Sequence, residues 1–330
     1  MLRIFAVAAI VIAIAATAFS QPTSTPGDNP ALAPAIKLMR EGESKKAIDL
    51  LKKAVKQNKQ DGVAWYYLGI AHLQLSEFKK GSDAFKKAIE SRPDMAAPAH
   101  AGYAYALVLR NRLSEALISA NKALSVDPKN VEALYTLGII DLRRGARKEA
   151  IEKADTLISV DPKFGPAYLL KSQALVSVGS LMYPQATPKE ERQLRYRAAA
   201  DALDKYLQLE TDARAAEPWK EQLETLKFHL GESSGIYAGR DVTTKARLLS
   251  KPEPMYTETA RQQQIVGTVV LRCVFASDGT IKHILVVQAV PGGLTERAIA
   301  AARKIKFVPA QIDGKPVSMW MQLEYNFNLY

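Results

Sequence analysis

A repeat of 34 residues constrains this chain more than any other feature. Ala35, Gly69, Ala104, Gly138 and Ser172 stand 34, 35, 34 and 34 residues apart, and every one of them is small. Twelve residues further on, a second column reads Ala47, Gly81, Ala116 and Ala150; a third reads Ala54, Ala88, Ala123 and Leu157. A fourth carries Pro93, Pro128 and Pro162, with Lys59 in the corresponding place of the first unit. Small side chains at fixed intervals let two helix backbones approach closely, and a proline just past the second helix stops it. The spacing therefore predicts one helix pair in each of the units 28–61, 62–95, 97–130 and 131–164. A fifth unit starts at Gly165 with Tyr168 and Ser172, loses register over 179–189 and resumes as a helix over 190–209. A last helix near 215–230 carries Leu223, Leu226 and Leu230, and is expected to close the stack with one polar face.

Trp65, Leu68-Gly69, Phe85, Ala88 and Pro93 together make this repeat resemble the tetratricopeptide repeat, a helix-turn-helix unit. The resemblance implies an α-solenoid in which the first helix of each unit lines an inner groove. That helix presents Leu32, Ile36 and Met39, then Tyr66, Ile70 and Leu73, then Tyr105 and Val108, then Tyr135, Ile139 and Leu142. An apolar groove bearing tyrosines suits an extended or helical peptide. Packing of the same residues against a neighbouring repeat or a second domain is the other reading, and the sequence leaves both open.

The C-terminal hundred residues change period. Residues 231–244 have no periodicity and read as a linker. Over 265–276, Val269, Leu271, Cys273 and Phe275 share one face of a strand, which makes Cys273 a small core residue. Asp278-Gly279 reads as a type I′ hairpin pair, with a return strand over 281–289 in which His283 is a surface residue. Gly292-Gly293 precedes a helix with Thr295 as N-cap, Leu294 and Ile299 as a hydrophobic staple, and Ala298, Ala301, Ala302 and Ile305 inside. After a turn at Asp313-Gly314 the chain ends on a strand, where Met319, Met321, Leu323, Tyr325, Phe327 and Leu329 alternate with polar residues. The predicted fold is an α-solenoid followed by a small α+β domain, β-β-α-β with an antiparallel sheet.

These residues carry a second resemblance, to the C-terminal domain of TonB-family energy transducers. It rests on Pro254-Met255-Tyr256, Gly267-Thr268-Val269, Phe275 with Asp278-Gly279, Leu294 with Ala298 and Ala301, Phe307-Val308-Pro309-Ala310 and Gly314-Lys315-Pro316-Val317. The family has Tyr-Pro where this chain has Tyr256-Thr257. The resemblance implies a periplasmic domain that adds a short receptor segment as an extra strand beside its last strand. Carried onto this chain, the strand-addition edge is Trp320, Gln322, Glu324, Asn326 and Asn328, with Tyr256 in the approach loop and Trp320 as an exposed aromatic platform.

The remaining sequence narrows the function class. Met1–Arg3 is a short positive start, Ile4–Phe19 runs sixteen residues without charge, and Ala16-Thr17-Ala18-Phe19-Ser20 offers small residues for cleavage after Ser20 or Ala18. Residues 1–20 therefore read as a signal peptide, 21–27 as a short linker, 28–230 as the solenoid, 231–244 as the inter-domain linker and 245–330 as the TonB-like domain. With 48% apolar and 24% charged residues the 330-residue chain has the balance of a folded protein. Its net charge of +11 is spread along the chain, with nothing else to support nucleic-acid binding. One cysteine and four scattered histidines argue against a disulfide framework, a metal centre or any bound cofactor. Gly231-Glu232-Ser233-Ser234-Gly235 matches G-x-S-x-G but follows an amphipathic helix instead of a buried strand, and no catalytic residues can be assembled. The sequence thus predicts a non-enzymatic, exported periplasmic adaptor whose partners are protein segments, including outer-membrane receptor peptides. The alternative is an inner-membrane-anchored energy transducer, in which residues 4–19 stay in the membrane. That segment lacks the polar residues through which the family engages its motor. A homodimer is compatible with either reading.

Overall fold

The computed structural model describes residues 30–91, 96–179, 189–231 and 235–329. The signal-peptide and linker readings over 1–27, Pro93, the register break over 180–188 and Ser233 lie outside the described residues. The described chain forms two compact units, one ending at Lys171 and the other running from Ser172 onward.

The first unit is helical throughout: α1 Ala33–Arg40, α2 Ser44–Gln57, α3 Gly62–Gln74, α4 Phe78–Ser91, α5 Ala96–Leu109, α6 Leu113–Val126, α7 Val131–Arg144, α8 Arg147–Val160 and the start of α9, Gly165–Gly179. Polar side chains set two of the starts. Asp61 accepts a hydrogen bond from the Ala64 amide at 2.9 Å, and Asn130 accepts one from the Ala133 amide at 2.9 Å, each satisfying an orphan donor of the first turn. At the other end of α7, Gly145 takes the left-handed conformation, φ 80°, that terminates a helix without steric cost. The small column has its predicted cause. The Phe85 ring wedges between α3 and α5, so that a methyl at Gly69 would stand 2.8 Å from it and one at Gly102 would stand 2.5 Å away. Helices α3, α5 and α7 are buried around nearly their whole circumference, as their apolar composition requires, whereas α2 and α4 bury one stripe.

The second unit contains the remainder of α9, α10 Lys189–Leu209, α11 Ala213–Leu230, β1 Ile236–Tyr237, β2 Arg247–Ser250, α12 Glu258–Gln262, β3 Gly267–Phe275, β4 Ile281–Gln288, α13 Leu294–Ala302, β5 Lys306–Val308, β6 Ala310–Ile312 and β7 Lys315–Phe327. The division between the two compact units falls inside α9. Within the stretch 231–244, Ile236 and Tyr237 pair in parallel with Ser318 and Met319, and Thr244 bridges Gln311. Helix α11 packs on α10, where Tyr206 meets Trp219 edge-on, and its other contacts reach β4, where the Gln222 amide bonds the strand backbone and Phe228 stacks on His283 at 3.4 Å.

The main sheet has the order β1-β7-β3-β4, with β6 pairing the start of β7. Strands β3 and β7 run antiparallel from Gly267↔Phe327 to Phe275↔Met319 without a break. The alternation read from the sequence places Val269, Leu271, Cys273, Phe275, Leu323, Tyr325 and Phe327 in one core with Leu294, Ala298 and Ala302 of α13. Two local assignments change. Among the two Asp-Gly turns, Asp313-Gly314 has both residues at positive φ, 50° and 79°, whereas at Asp278-Gly279 only the glycine does. The β3–β4 turn is instead closed by Gly279 N–H to Ala276 O at 3.0 Å, and Asp278 Oδ1 accepts from the Thr280 amide at 3.0 Å, a type I turn with a bulge. Helix α13 starts from Gly293 with no side-chain cap, because the Thr295 hydroxyl is engaged by the backbone of Val290.

Candidate strand-addition site

The outer edge of β7 is built by what pairs with the strand and what stops. On one side β3 accompanies it from Met319 to Phe327. On the other, β1 pairs only Ser318 and Met319, and no strand follows among the described residues. Beyond that point, among the described residues, one side chain bonds the edge: Lys251, just after β2, donates from Nζ to Glu324 O at 2.7 Å and lies 4.6 Å over the Tyr325 ring. The bond fixes the direction of the strand's polar groups. Glu324 O points outward, and by the alternation of a pleated strand so do the backbone groups of Trp320, Gln322 and Asn326, while Met321, Leu323 and Tyr325 direct theirs to β3. An edge of this kind is a template for an added strand.

The side chains over this edge differ from one another. Glu324 and Asn326 are exposed, with Asn326 Oδ1 accepting from Thr268 Oγ1 at 2.7 Å; Gln322 is half-buried and donates to Glu324 at 3.0 Å. Asn328 is exposed but falls past the end of β7. Trp320 is not the open platform expected of it. It is half-buried, with the His229 ring 4.5 Å away, Phe228 at 6.1 Å and the Arg272 guanidinium 5.3 Å over its face. Tyr256 is pinned as well: its hydroxyl donates to Ile265 O at 3.0 Å and its ring meets Phe327 edge-on at 5.5 Å. The approach loop is thereby fixed to the core beside β7. Cys273 is fully buried, with its thiol pushed up to about 12 by desolvation.

The proposed groove residues sit in the interior of the first unit. Tyr66, Ile70, Leu73, Tyr105, Val108 and Tyr135 are all buried, and Ile139 and Leu142 are half-buried. Tyr66 meets Phe85 edge-on at 5.6 Å, Tyr105 stacks on Tyr135 at 6.4 Å, and Tyr135 meets Phe164 at 5.5 Å. Desolvation holds the Tyr66 and Tyr105 hydroxyls well above the ordinary phenol range, with Glu132 adding to the effect at Tyr66. A peptide reaches none of these six side chains without displacing what surrounds them, which corrects their reading as an open lining. Sequence reasoning also missed Lys251, Arg272, Phe228 and His229. The local pattern of each element does not name its long-range partner, so only the folded chain brings them to β7.

No metal-binding cluster is found among the described residues, and none of their helices is long and apolar enough to cross a membrane.

Residues 32–96 match the tetratricopeptide repeat family, and residues 252–329 match the family described as Gram-negative bacterial TonB protein C-terminal. The chain carries a tetratricopeptide repeat and a TonB C-terminal domain. The TonB match spans β3 to β7 and therefore the whole candidate edge. Among curated proteins, the BBSome complex member BBS4 of Bos taurus is 28% identical over 142 residues, 43% of this chain and 25% of that protein. The chain thus spans about a quarter of the length of that relative, and 35% of the bbs-4 protein of Caenorhabditis elegans. Similar solved structures include TTC0263, a thermophilic TPR protein in Thermus thermophilus, with a TM-score of 0.48 at 17% identity, covering 60% of this chain and 98% of that one. Another is PilW, a type IV pilus biogenesis factor, with a TM-score of 0.45 at 22% identity, covering 62% and 94%. Both modules of this chain are protein-interaction modules.

Proposed function

We propose that this protein is an exported periplasmic adaptor whose TonB C-terminal domain takes up an extended protein segment at the outer edge of β7, between Trp320 and Phe327. The observation that carries the reading is the row of outward backbone groups at Gln322, Glu324 and Asn326, touched only by the Lys251 side chain among the described residues. A flexible lysine is a cover that an incoming strand displaces at little cost, since one exchanged hydrogen bond is worth about 0.5–1.5 kcal/mol. The added segment gains main-chain bonds, and the exposed side chains of Glu324 and Asn326 favour a polar partner on that face. The chain's uncharged segment Ile4–Phe19 is compatible with export. The membrane-anchored transducer would use the same edge, so the two differ in whether that segment is removed.

A proline scan tests the edge. Proline removes an N–H, so at Gln322 or Asn326 it takes a bond from the added strand and spares the β3 ladder, whereas at Leu323 or Tyr325 it breaks that ladder. The expected result is loss of affinity for an outer-membrane receptor peptide of about 0.5–1.5 kcal/mol per bond at the first pair with the melting temperature retained. The second pair should lose thermal stability. Equal destabilisation at both parities, or unchanged binding at Gln322 and Asn326, rules out strand addition there. The mass of the mature protein separates adaptor from transducer: an N-terminus at Gln21 or Phe19 supports export, and a retained Met1 in carbonate-resistant membranes supports the anchor.

A further inference from the structure

The lysines of the first unit follow its repeat. Lys45-Lys46 and Lys52-Lys53 on α2 recur 34 residues later as Lys79-Lys80 and Lys86-Lys87 on α4. In the same columns the third repeat carries Ser114-Glu115 and Asn121-Lys122, and the fourth Lys148-Glu149 and Asp155-Thr156. Residues 44–91 hold ten lysines and no arginine against five carboxylates, whereas the equivalent residues 113–160 balance seven cations with seven carboxylates. The net charge read as spread along the chain is thus unevenly divided within the repeats. The same helix pairs form without these lysines, so folding does not require them. All eight are exposed. Lys46, Lys80 and Lys86 have a carboxylate within 4.0 Å, and Lys45, Lys52, Lys53, Lys79 and Lys87 make no ion pair among the described residues.

The two quartets share one surface. Seven residues along a helix return to nearly the same face about 10 Å further on, so each quartet runs along its helix as a strip. Helices α2 and α4 converge at their C-terminal ends, where the Lys59 carbonyl accepts from Trp65 Nε1 at 2.9 Å and from Ser91 Oγ at 3.4 Å. There Lys56, Lys59 and Lys87 line an open depression of about 510 Å³, with the Lys87 ammonium 5.4 Å over the Trp65 ring. Burial holds His72 below the ordinary imidazole range, and Lys80 and Lys52, one from each quartet, lie near enough to add to the lowering. We propose that the lysine strips of α2 and α4 are a docking surface for an anionic lipid bilayer. Their chemistry selects the partner. A protein interface concentrates arginine and aromatic residues and is depleted of lysine, because the guanidinium fork reads a fixed carboxylate geometry. Lysine is a hydrated point charge that needs no fixed counterpart, which suits headgroups free to move within a leaflet. The strips also belong to the repeats nearest in sequence to the uncharged segment Ile4–Phe19. Strand addition at β7 plays no part in this surface, so either stands without the other.

The test is cosedimentation of the full mature chain with vesicles of phosphatidylglycerol and phosphatidylcholine in equal parts. Binding is expected to these vesicles and not to phosphatidylcholine alone, and it should weaken steeply as added salt shortens the reach of the charges. Each lysine near an anionic surface contributes about fivefold, so Lys45→Gln, Lys52→Gln, Lys53→Gln and Lys79→Gln combined should weaken binding about a hundredfold or more. The same loss of charge by Lys122→Gln, Lys129→Gln, Lys148→Gln and Lys153→Gln should weaken it far less. If the first variant does not fold, spin labels decide. On Asp49→Cys, between the lysine pairs of α2, vesicles should shield the label from a water-soluble relaxant; on Glu152→Cys, in the same column of the fourth repeat, they should not. Equal losses in the two variants, equal shielding of the two labels, or equal binding to phosphatidylcholine alone would overturn the proposal. So would capture of polyglutamate or single-stranded DNA without binding to phosphatidylglycerol, which would make the partner an acidic protein or a nucleic acid.

Discussion

At the scale of residues, the small columns are explained by the large side chains opposite them. Phe85 is fully buried and fills the space that both Gly69 and Gly102 leave free. Gly69→Ala is expected to lower stability by about 1–3 kcal/mol, the usual cost of forcing an extra methyl into a packed core. Phe85→Leu in the same background should recover part of the loss, measured by urea denaturation. Cys273 makes the complementary case on the sheet. Its sulfur lies 3.8 Å from Met321 O within an otherwise apolar core. Cys273→Ser should cost about 1–3 kcal/mol, the range for a buried hydroxyl without a good partner. The buried, up-shifted thiol is expected to resist a bulky maleimide in the native protein and to react fully once unfolded; rapid native labelling would contradict the packing.

At the scale of elements, the strands and helices are legible where a residue's neighbours in sequence decide its environment. The 34-residue columns and the alternation along β7 are such cases, because each position repeats a local pattern. The turns are less so. The two Asp-Gly pairs that turn between strands have opposite backbone outcomes, because at Asp278 the side chain bonds the Thr280 amide and bulges the turn, whereas Asp313 sits in a tight two-residue hairpin between β6 and β7. The covering of edges is also invisible locally. Lys251 lies 73 residues from the carbonyl it occupies. Lys251→Ala should therefore free Glu324 O and strengthen binding of a receptor peptide at β7 by up to about 1 kcal/mol, read by titration calorimetry with the melting temperature little changed. A weakened complex would mean that the lysine contacts the ligand instead of competing with it.

At the scale of the whole molecule, one joint of the C-terminal unit responds to acid. His229 packs between Tyr196 and Trp320, its Nε2 has no hydrogen-bond partner, and desolvation, then the nearby Arg272, hold its value down to about 3. His283, stacked on Phe228, is lowered as well, by desolvation and Lys282. Because the folded values lie below the ordinary 6.5, the unfolded chain takes up protons first as pH falls. The stability contributed by the joint is complete above about pH 6.5 and is lost progressively towards pH 3. The melting temperature is expected to fall between pH 7 and pH 5, and His229→Phe should flatten that slope. An equally steep slope in the variant would place the titrating group elsewhere.

The sequence by itself determined that the N-terminal part is a helical repeat, that the C-terminal part is a β-β-α-β core, and which face of β7 is buried. Periodic burial writes these into neighbouring residues. Tertiary structure alone decided that the tyrosine column is interior, that α11 packs on the sheet as well as on α10, and that side chains close β4 while, among the described residues, no strand pairs the outer edge of β7 from Trp320 onward. Gln222 reaches Val286 across 64 residues, and Phe228 and His229 meet the sheet only after α11 docks. An amphipathic helix carries an apolar stripe whatever it packs against. The partner of that stripe is chosen by which surface remains uncovered when the rest of the chain has folded.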